Sequence, residues 1–151
     1  MAAQIRWMLV NKDIEGVLAV AKAIGNGTTE EWFYDSCHAD DRTNYVLLDS
    51  GKIVGFIVVK NLKYKFQVMQ MGLHGASTDA VNLMFYTLED RLTEDRRRIE
   101  IHVPEGALDA QLLLRDHKYR AVRTYADENG TEFYVFVRKV EFPNETEAEN
   151  D

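Results

Sequence analysis

Hydrophobic residues recur along this chain with two different periods, and each period predicts a type of secondary structure. The clearest helical spacing belongs to five apolar residues that share one face over three turns: Val81, Met84, Phe85, Leu88 and Leu92. Ile99, Ile101 and Val103 instead alternate with polar residues, which is typical of a half-buried strand. The chain therefore mixes helices and strands.

Applied to the whole chain, the same criteria predict an α/β (α+β) fold with the order β-α-α-β-β-β-α-β-α-β-β. The strands are predicted at Gln4–Val10, Tyr45–Leu48, Ile53–Lys60, Phe66–Leu73, Ile99–Val103, Tyr119–Tyr125 and Thr131–Val140. Asp13 is predicted to cap the first helix, and Gly25 and Gly27 are predicted to end it. Thr28–Glu31 has the spacing of a capping box for the second helix. Asn129-Gly130 is a strong hairpin signal. Seven strands and four helices predict a mixed sheet in one domain.

Composition fits a globular domain of residues 1–140. The chain has 151 residues, of which 46% are hydrophobic and 28% charged. A single cysteine, Cys37, excludes an internal disulfide, and neither a signal peptide nor an apolar run of membrane-spanning length is visible. We therefore expect a cytoplasmic protein with no membrane partner.

Charge is distributed unevenly. The net charge is -7, and five acids with no base lie in residues 141–151, a segment that we expect to be a disordered acidic tail. Without this segment the positive and negative charges of the chain nearly balance. The only basic run is Arg96-Arg97-Arg98, which is most simply interpreted as a solvated loop. This balance argues against a nucleic-acid partner.

Four stretches of the chain carry a recognisable family pattern: 5–8, 52–56, 110–115 and 119–123. They resemble the GNAT acyl-CoA-dependent N-acetyltransferases, especially the branch that acetylates protein N-termini such as the N-terminal alanine of ribosomal proteins. The resemblance extends from Ile5 to about Arg138. It implies a GNAT fold, acetyl-CoA as cofactor, and acyl transfer to an amine that includes a protein N-terminus.

The loop that would hold the coenzyme departs from the family pattern. The family carries Arg/Gln-x-x-Gly-x-Gly/Ala at the start of the third helix, where bare backbone N–H groups bind the diphosphate. Here 75–81 lacks a basic residue, and Ala80-Val81 replaces the glycine pair. Asp79 adds a negative charge and is predicted to cap the helix. We therefore expect little or no acetyl-CoA turnover.

The catalytic positions implied by the resemblance depart as well. His102 stands where a strand-5 glutamate serves as base, Ala107 where an asparagine opens the fourth helix, and Leu114 where a tyrosine protonates the leaving thiolate. Lys118 replaces a glycine. His102 remains the best candidate base, and Glu100 is expected either to orient it or, as the simpler reading, to pair with an arginine.

Residues that would contact ligands also follow from the resemblance. The main chain of strand 4 and the start of the third helix would hold CoA through Met69, Met71, Leu73, Ser77, Thr78, Ala80 and Val81. The acceptor peptide would enter beside Trp32, Phe33 and Tyr34, which also fit a buried helix face. No histidine has a partner at metal-ligand spacing, so we expect no metal.

Three functions stay open at this point. The first is an acyltransferase with His102 as a weak base. The second is a non-catalytic protein-interaction module, which would form a homodimer through the aromatic residues of the last hairpin or offer the former peptide groove to a partner. The third is a binder of a small metabolite or acyl carrier.

Overall fold

A computed structural model describes residues 3–140 and contains seven strands and four helices. The strands are β1 Ala3–Trp7, β2 Arg42–Asp49, β3 Lys52–Asn61, β4 Lys65–Leu73, β5 Arg98–Pro104, β6 Arg120–Ala126 and β7 Glu132–Lys139. The helices are α1 Val10–Ala23, α2 Glu30–Cys37, α3 Thr78–Asp90 and α4 Leu108–Asp116. The strands form one sheet in the order β1-β2-β3-β4-β5-β7-β6. The predicted element order and fold class are confirmed.

The described residues form two compact units. One comprises 3–61 and Val68–Asp90, and the other comprises Leu62–Gln67 and 91–140. The predicted acidic tail lies outside the described residues, so the boundary at residue 140 stays a prediction.

The core of the first unit lies between α1, α2 and one face of β2 and β3. Helix α1 buries Ile14, Val17 and Val20, which follow the helical spacing of its apolar face. They pack with Phe33 of α2 and Phe56 of β3, both fully buried. Apolar burial of this kind is the main force that holds helices against a sheet.

Asp13 does not cap α1, contrary to the sequence prediction. The helix begins earlier, with Leu9 at the N-cap, so Asp13 lies inside the first turn. Its carboxylate accepts the Leu9 N–H at 2.8 Å and forms two hydrogen bonds with the Arg6 guanidinium, at 2.7 and 2.9 Å. Asp13 is only 2% exposed and ties β1 to the start of α1. Asp13 therefore stabilises the start of α1 from a position within the helix, by accepting the N–H of the N-cap residue Leu9.

Gly25 ends α1 as predicted. It has φ of +73°, its N–H donates to the Lys22 carbonyl, and the Asn26 N–H donates to the Ala21 carbonyl. This is a Schellman motif, which favours glycine because the residue adopts a left-handed conformation.

The second helix begins one residue later than the predicted capping box implies. Thr29 is the N-cap, and its side chain accepts the Trp32 N–H at 3.2 Å. Thr28 instead donates its hydroxyl to the Asn26 side chain. Because Glu31 is then the second helical residue, it is not at the position that completes a capping box.

The second unit is built around the antiparallel strands β5, β7 and β6. Asp127–Gly130 closes the predicted hairpin, with Gly130 at φ +80°. The basic run is not only a solvated loop, because Arg98 begins β5 and the Arg96 Nε donates to the Leu62 carbonyl at 2.8 Å. The Arg96 guanidinium also lies 5.4 Å from the centre of the Phe66 ring.

Lys118 ends α4 in a conformation that favours glycine. Its φ is +70°, and the Tyr119 and Lys118 N–H groups donate to the Leu114 and Arg115 carbonyls, which is again a Schellman motif. A non-glycine residue in this region is strained.

We therefore expect Lys118→Gly to raise the free energy of unfolding by about 1 kcal/mol, or the melting temperature by about 3 °C. Thermal unfolding followed by circular dichroism measures the change. Lys118→Ala is the control, because it removes the same charge but keeps the β-carbon; an equal gain from both variants would contradict the strain argument.

Candidate functional site: a polar network on strand β5

The strand register of the second unit brings Glu100 and His102 of β5 to the same face as residues of β6. Val135 lies opposite both His102 and Arg123, and Phe133 lies opposite Tyr125. Because directly paired residues share a face, Arg123 and Tyr125 lie on the face that carries His102.

Glu100 is the centre of this network. It is 4% exposed, and its Oε2 accepts the Lys65 Nζ at 2.8 Å. Its Oε1 lies 2.9 Å from the His102 Nε2 and 3.5 Å from an Arg123 guanidinium nitrogen. Burial raises the pKa of Glu100, but the hydrogen bonds from Lys65 and His102 outweigh burial and leave the pKa below its ordinary value. Glu100 is therefore an ionised acceptor.

His102 is held at both ring nitrogens. Because an ionised carboxylate only accepts hydrogen bonds, the Nε2 that faces Glu100 carries a hydrogen. In the neutral ring, Nδ1 is then the acceptor for the Tyr125 hydroxyl, which lies 2.8 Å away. The Tyr125 ring stacks on Phe133 with 5.4 Å between ring centres. The result is a carboxylate–imidazole–phenol chain that can move a proton from the Tyr125 hydroxyl to His102.

This geometry changes the sequence interpretation of Glu100. The orienting role, which is the less simple of the two expectations, is present, together with an arginine contact. The predicted site residues do not include Lys65 and Tyr125. The only sequence signal for Tyr125 is its place in the β6–β7 hairpin, and that signal becomes useful only once the register is known.

The start of α3 is capped by Ser77 and not by Asp79, contrary to the sequence prediction. The Ser77 Oγ accepts the Ala80 N–H at 3.2 Å, and the Ser77 carbonyl accepts the Val81 N–H at 3.0 Å. Asp79 lies exposed in the first turn. Ser77 lies two residues before Asp79 and is an equally good N-cap, so the preference for aspartate at N-caps does not determine where α3 begins.

Asp49 supplies a carboxylate to the same helix end. It is the last residue of β2, and its Oδ2 accepts the Ser77 N–H at 3.2 Å. An acidic group at a helix N-terminus is stabilised by the helix dipole and by hydrogen bonds to the backbone N–H groups. The sequence pattern places Asp49 only between two predicted strands and does not indicate this contact, which spans 28 positions of the chain.

The start of α3 does not fit a diphosphate. The Ser77 and Ala80 N–H groups already have acceptors within the chain. Asp49 and Asp79 place two acidic residues at this helix end, and residues 74–81 contain neither lysine nor arginine. A diphosphate needs bare N–H groups and favours positive charge. The two N–H groups with acceptors and the two acidic residues therefore make this helix end a poor fit for a diphosphate.

The other residues predicted to contact CoA lie in different environments. Ser77 and Thr78 are exposed, whereas Ala80 is fully buried. Met69 is half-buried and packs against the core of the first unit. Half-buried positions are also occupied by Met71, Leu73 and Val81.

The three predicted substrate contacts separate into one core residue and two residues that reach the surface. Phe33 is fully buried and packs edge to face against Phe56, with 5.3 Å between ring centres. Trp32 is half-buried, with the Arg42 guanidinium 5.7 Å from its ring centre. Tyr34 donates its hydroxyl to the Asn11 side chain at 2.9 Å. In this arrangement Phe33 has no surface to offer to a peptide.

Leu114 and Ala107 supply no catalytic group. The Leu114 side chain is fully buried in the core of the second unit. Ala107 is the N-cap of α4 and makes no side-chain capping bond.

Across residues 3–140, no three histidine, cysteine, aspartate or glutamate side chains are grouped in a way that would hold a metal. Nor does any helix in that range have the length and apolar character needed to cross a bilayer.

Comparisons with known proteins place the fold among solved acetyltransferases. The sequence matches no model of a known protein family and no curated protein. The structure is similar to that of the ribosomal-protein-S18-alanine N-acetyltransferase from Escherichia coli, with a TM-score of 0.73, 11% identity, and coverage of 93% of this chain and 95% of that one.

Two further structures extend this similarity. A GNAT-family acetyltransferase from Bacillus cereus aligns with a TM-score of 0.72 and 13% identity over 94% of this chain and 100% of its own. NAA60 from Arabidopsis thaliana, in complex with acetyl-CoA, aligns with a TM-score of 0.69 and 16% identity over 92% and 99%. The two units together thus carry the strands and helices of the GNAT acetyltransferase fold.

Proposed function

We propose that this protein is N-acetyltransferase-like, that its turnover of acetyl-CoA is weak or absent, and that its retained function is to bind a protein segment. The observation that carries this proposal is the Asp49 carboxylate on the Ser77 N–H. This carboxylate places a negative charge at the start of α3, where an acetyltransferase of the resembled family would bind the coenzyme diphosphate.

The face around Tyr125 supports the binding part of the proposal. Tyr125 and Phe133 present a stacked, half-buried pair of rings, and the Arg123 side chain beside them is 55% exposed. Aromatic and arginine side chains are enriched in protein interfaces. A protein N-terminus is the partner that the resemblance to N-terminal acetyltransferases favours.

Isothermal titration calorimetry tests the coenzyme part. Wild-type protein is expected to give no binding heat at acetyl-CoA concentrations of about 1 mM, corresponding to a free energy weaker than about -4 kcal/mol. The double variant Asp49→Asn/Asp79→Asn should give measurable binding heat at the same concentrations, because both acidic groups are lost from the helix end.

Asp35→Asn/Asp40→Asn is the matched control, since it removes two exposed acids elsewhere in the first unit. It should leave binding unchanged. Micromolar affinity of the wild-type protein would overturn the proposal.

A second function, slow acyl transfer to an amine, is favoured by the chain of Glu100, His102 and Tyr125. Here the amine nitrogen would attack the thioester carbon, the Tyr125 oxygen would accept the amine proton, and the Tyr125 proton would pass to the His102 Nδ1, with Glu100 stabilising the charged ring. As the C–S bond breaks, the same proton would return through Tyr125 to the departing thiolate. Mass spectrometry of peptides incubated with acetyl-CoA distinguishes the two functions. Wild-type turnover that falls about 100-fold in His102→Gln would favour the second.

A further inference from the structure

A groove on the second unit collects positive charge in a chain whose net charge is -7. The groove has a volume of about 690 Å³ and is lined by five cationic residues and no acidic one. These five, which we call the basic groove, are Arg98, Lys118, Arg120, Arg138 and Lys139. Such a groove suits an acidic ligand.

The strand register explains why these side chains lie together. Arg98 of β5 is paired with Lys139 of β7, and Arg120 of β6 is paired with Val137 of β7. Three strands therefore bring cations to one end of the second unit. Arg98, Lys118, Arg120 and Lys139 are exposed, and none of these four forms an ion pair with another residue of 3–140. Like charges at this spacing repel each other unless an anion lies among them.

The chain itself continues from this groove into its most acidic segment. Strand β7 ends at Lys139, and the Val140 N–H donates to the Arg97 carbonyl at 3.1 Å. The following 11 residues contain five acids and no base: Glu141, Glu145, Glu147, Glu149 and Asp151. A segment of 11 residues spans at most about 36 Å, which is enough to follow β6 along the groove.

We propose that residues 141–151 dock in the basic groove as an acidic ligand supplied by the same chain. The charges are complementary, because the segment carries five acids, and four exposed cations of the groove form no ion pair within residues 3–140. Individual exposed ion pairs are weak, but a tether as short as this one gives a high effective concentration. An external acidic segment would have to compete with the tail for the same cations.

Paramagnetic relaxation enhancement tests the contact in the full-length chain. A spin label is placed at Asn150→Cys in a Cys37→Ala background, and amide signal intensities are compared before and after reduction of the label. The amides of 118–122 are expected to lose at least about half their intensity at about 0.05 M salt and to recover at about 0.5 M. The amides of 128–130, at the opposite end of the β6–β7 hairpin, should be much less affected.

Charge variants supply matched controls. Arg120→Gln/Lys139→Gln should abolish the difference in intensity loss between the amides of 118–122 and those of 128–130. Replacement of the five tail acids by their amides should have the same effect. Lys12→Gln/Lys52→Gln removes two exposed lysines outside the groove and should leave the difference intact.

Two results would overturn the proposal. The first is equal broadening of both amide regions, or broadening that Arg120→Gln/Lys139→Gln does not change. The second is broadening in a mixture of isotope-labelled protein without spin label and spin-labelled protein without isotope. That outcome would assign the groove to the tail of a second copy.

Discussion

Replacing Asp13 with alanine is expected to lower the free energy of unfolding by about 3 kcal/mol at neutral pH. The carboxylate is 2% exposed and accepts three hydrogen bonds, two from the Arg6 guanidinium and one from the Leu9 N–H. Its loss leaves the Leu9 N–H without its side-chain acceptor at the start of α1. It also removes the partner of Arg6, although the Arg6 side chain is 32% exposed and can be hydrated in part.

Urea denaturation of the wild type and the variant measures this loss. Glu15→Ala is the matched control, because Glu15 lies exposed on the same helix and should change stability by less than about 0.5 kcal/mol. Similar losses in both variants would mean that the change reflects helix composition rather than the buried carboxylate.

The contribution of Asp13 should depend on pH. The hydrogen bond from Arg6 lowers the pKa of Asp13, and burial, which raises it, does not cancel the effect. Its stabilisation is thus complete above the unfolded-state pKa of about 3.9 and is lost as the pH falls through the lower folded-state pKa. The stability difference between wild type and Asp13→Asn should therefore be largest near neutral pH and should shrink as the pH falls through the folded-state pKa of Asp13.

The sequence predicts the elements of this fold well because the signals for them are local. The spacing of apolar residues in α3, Gly25 after α1 and Asn129-Gly130 between β6 and β7 each act over a few residues. Helix starts are predicted less well. Asp13 and Asp79 both look like caps, but several residues near a helix start can satisfy the same N–H groups, and here Leu9 and Ser77 mark the boundaries.

The candidate site is predicted only in part, because its contacts join distant positions. His102 is identified by its place on β5, and Glu100 by its place two residues earlier on the same strand, yet the contact with Tyr125 depends on register. A shift of one residue in the β6–β7 pairing would move Tyr125 to the opposite face. The contact of Asp49 with Ser77 likewise depends on where the β2–β3 hairpin meets the loop before α3. Local patterns carry no information about either contact.

Replacing Lys65 with methionine is expected to lower the free energy of unfolding by about 3 kcal/mol, because it leaves the Glu100 carboxylate buried without its nearest cation. Lys65 lies 2.8 Å from Glu100, whose side chain is 5% exposed. Arg123, at 3.5 Å, is mostly exposed and replaces this contact only in part. Chemical denaturation at neutral pH measures the effect, which should become smaller in acid as Glu100 is protonated.

Lys60→Met is the matched control for this prediction. Lys60 is 34% exposed, close to the 32% of Lys65, but its acidic partner Asp41 is 49% exposed and 4.0 Å away. Because water solvates Asp41 when the lysine is removed, the loss should stay below about 0.5 kcal/mol. The double variant Lys65→Met/Glu100→Gln should recover most of the stability lost in Lys65→Met, since it also removes the buried charge. If the double variant is no more stable than Lys65→Met, the cost comes from lost packing of the lysine side chain, and Glu100 does not depend on Lys65 to hold its charge beside His102.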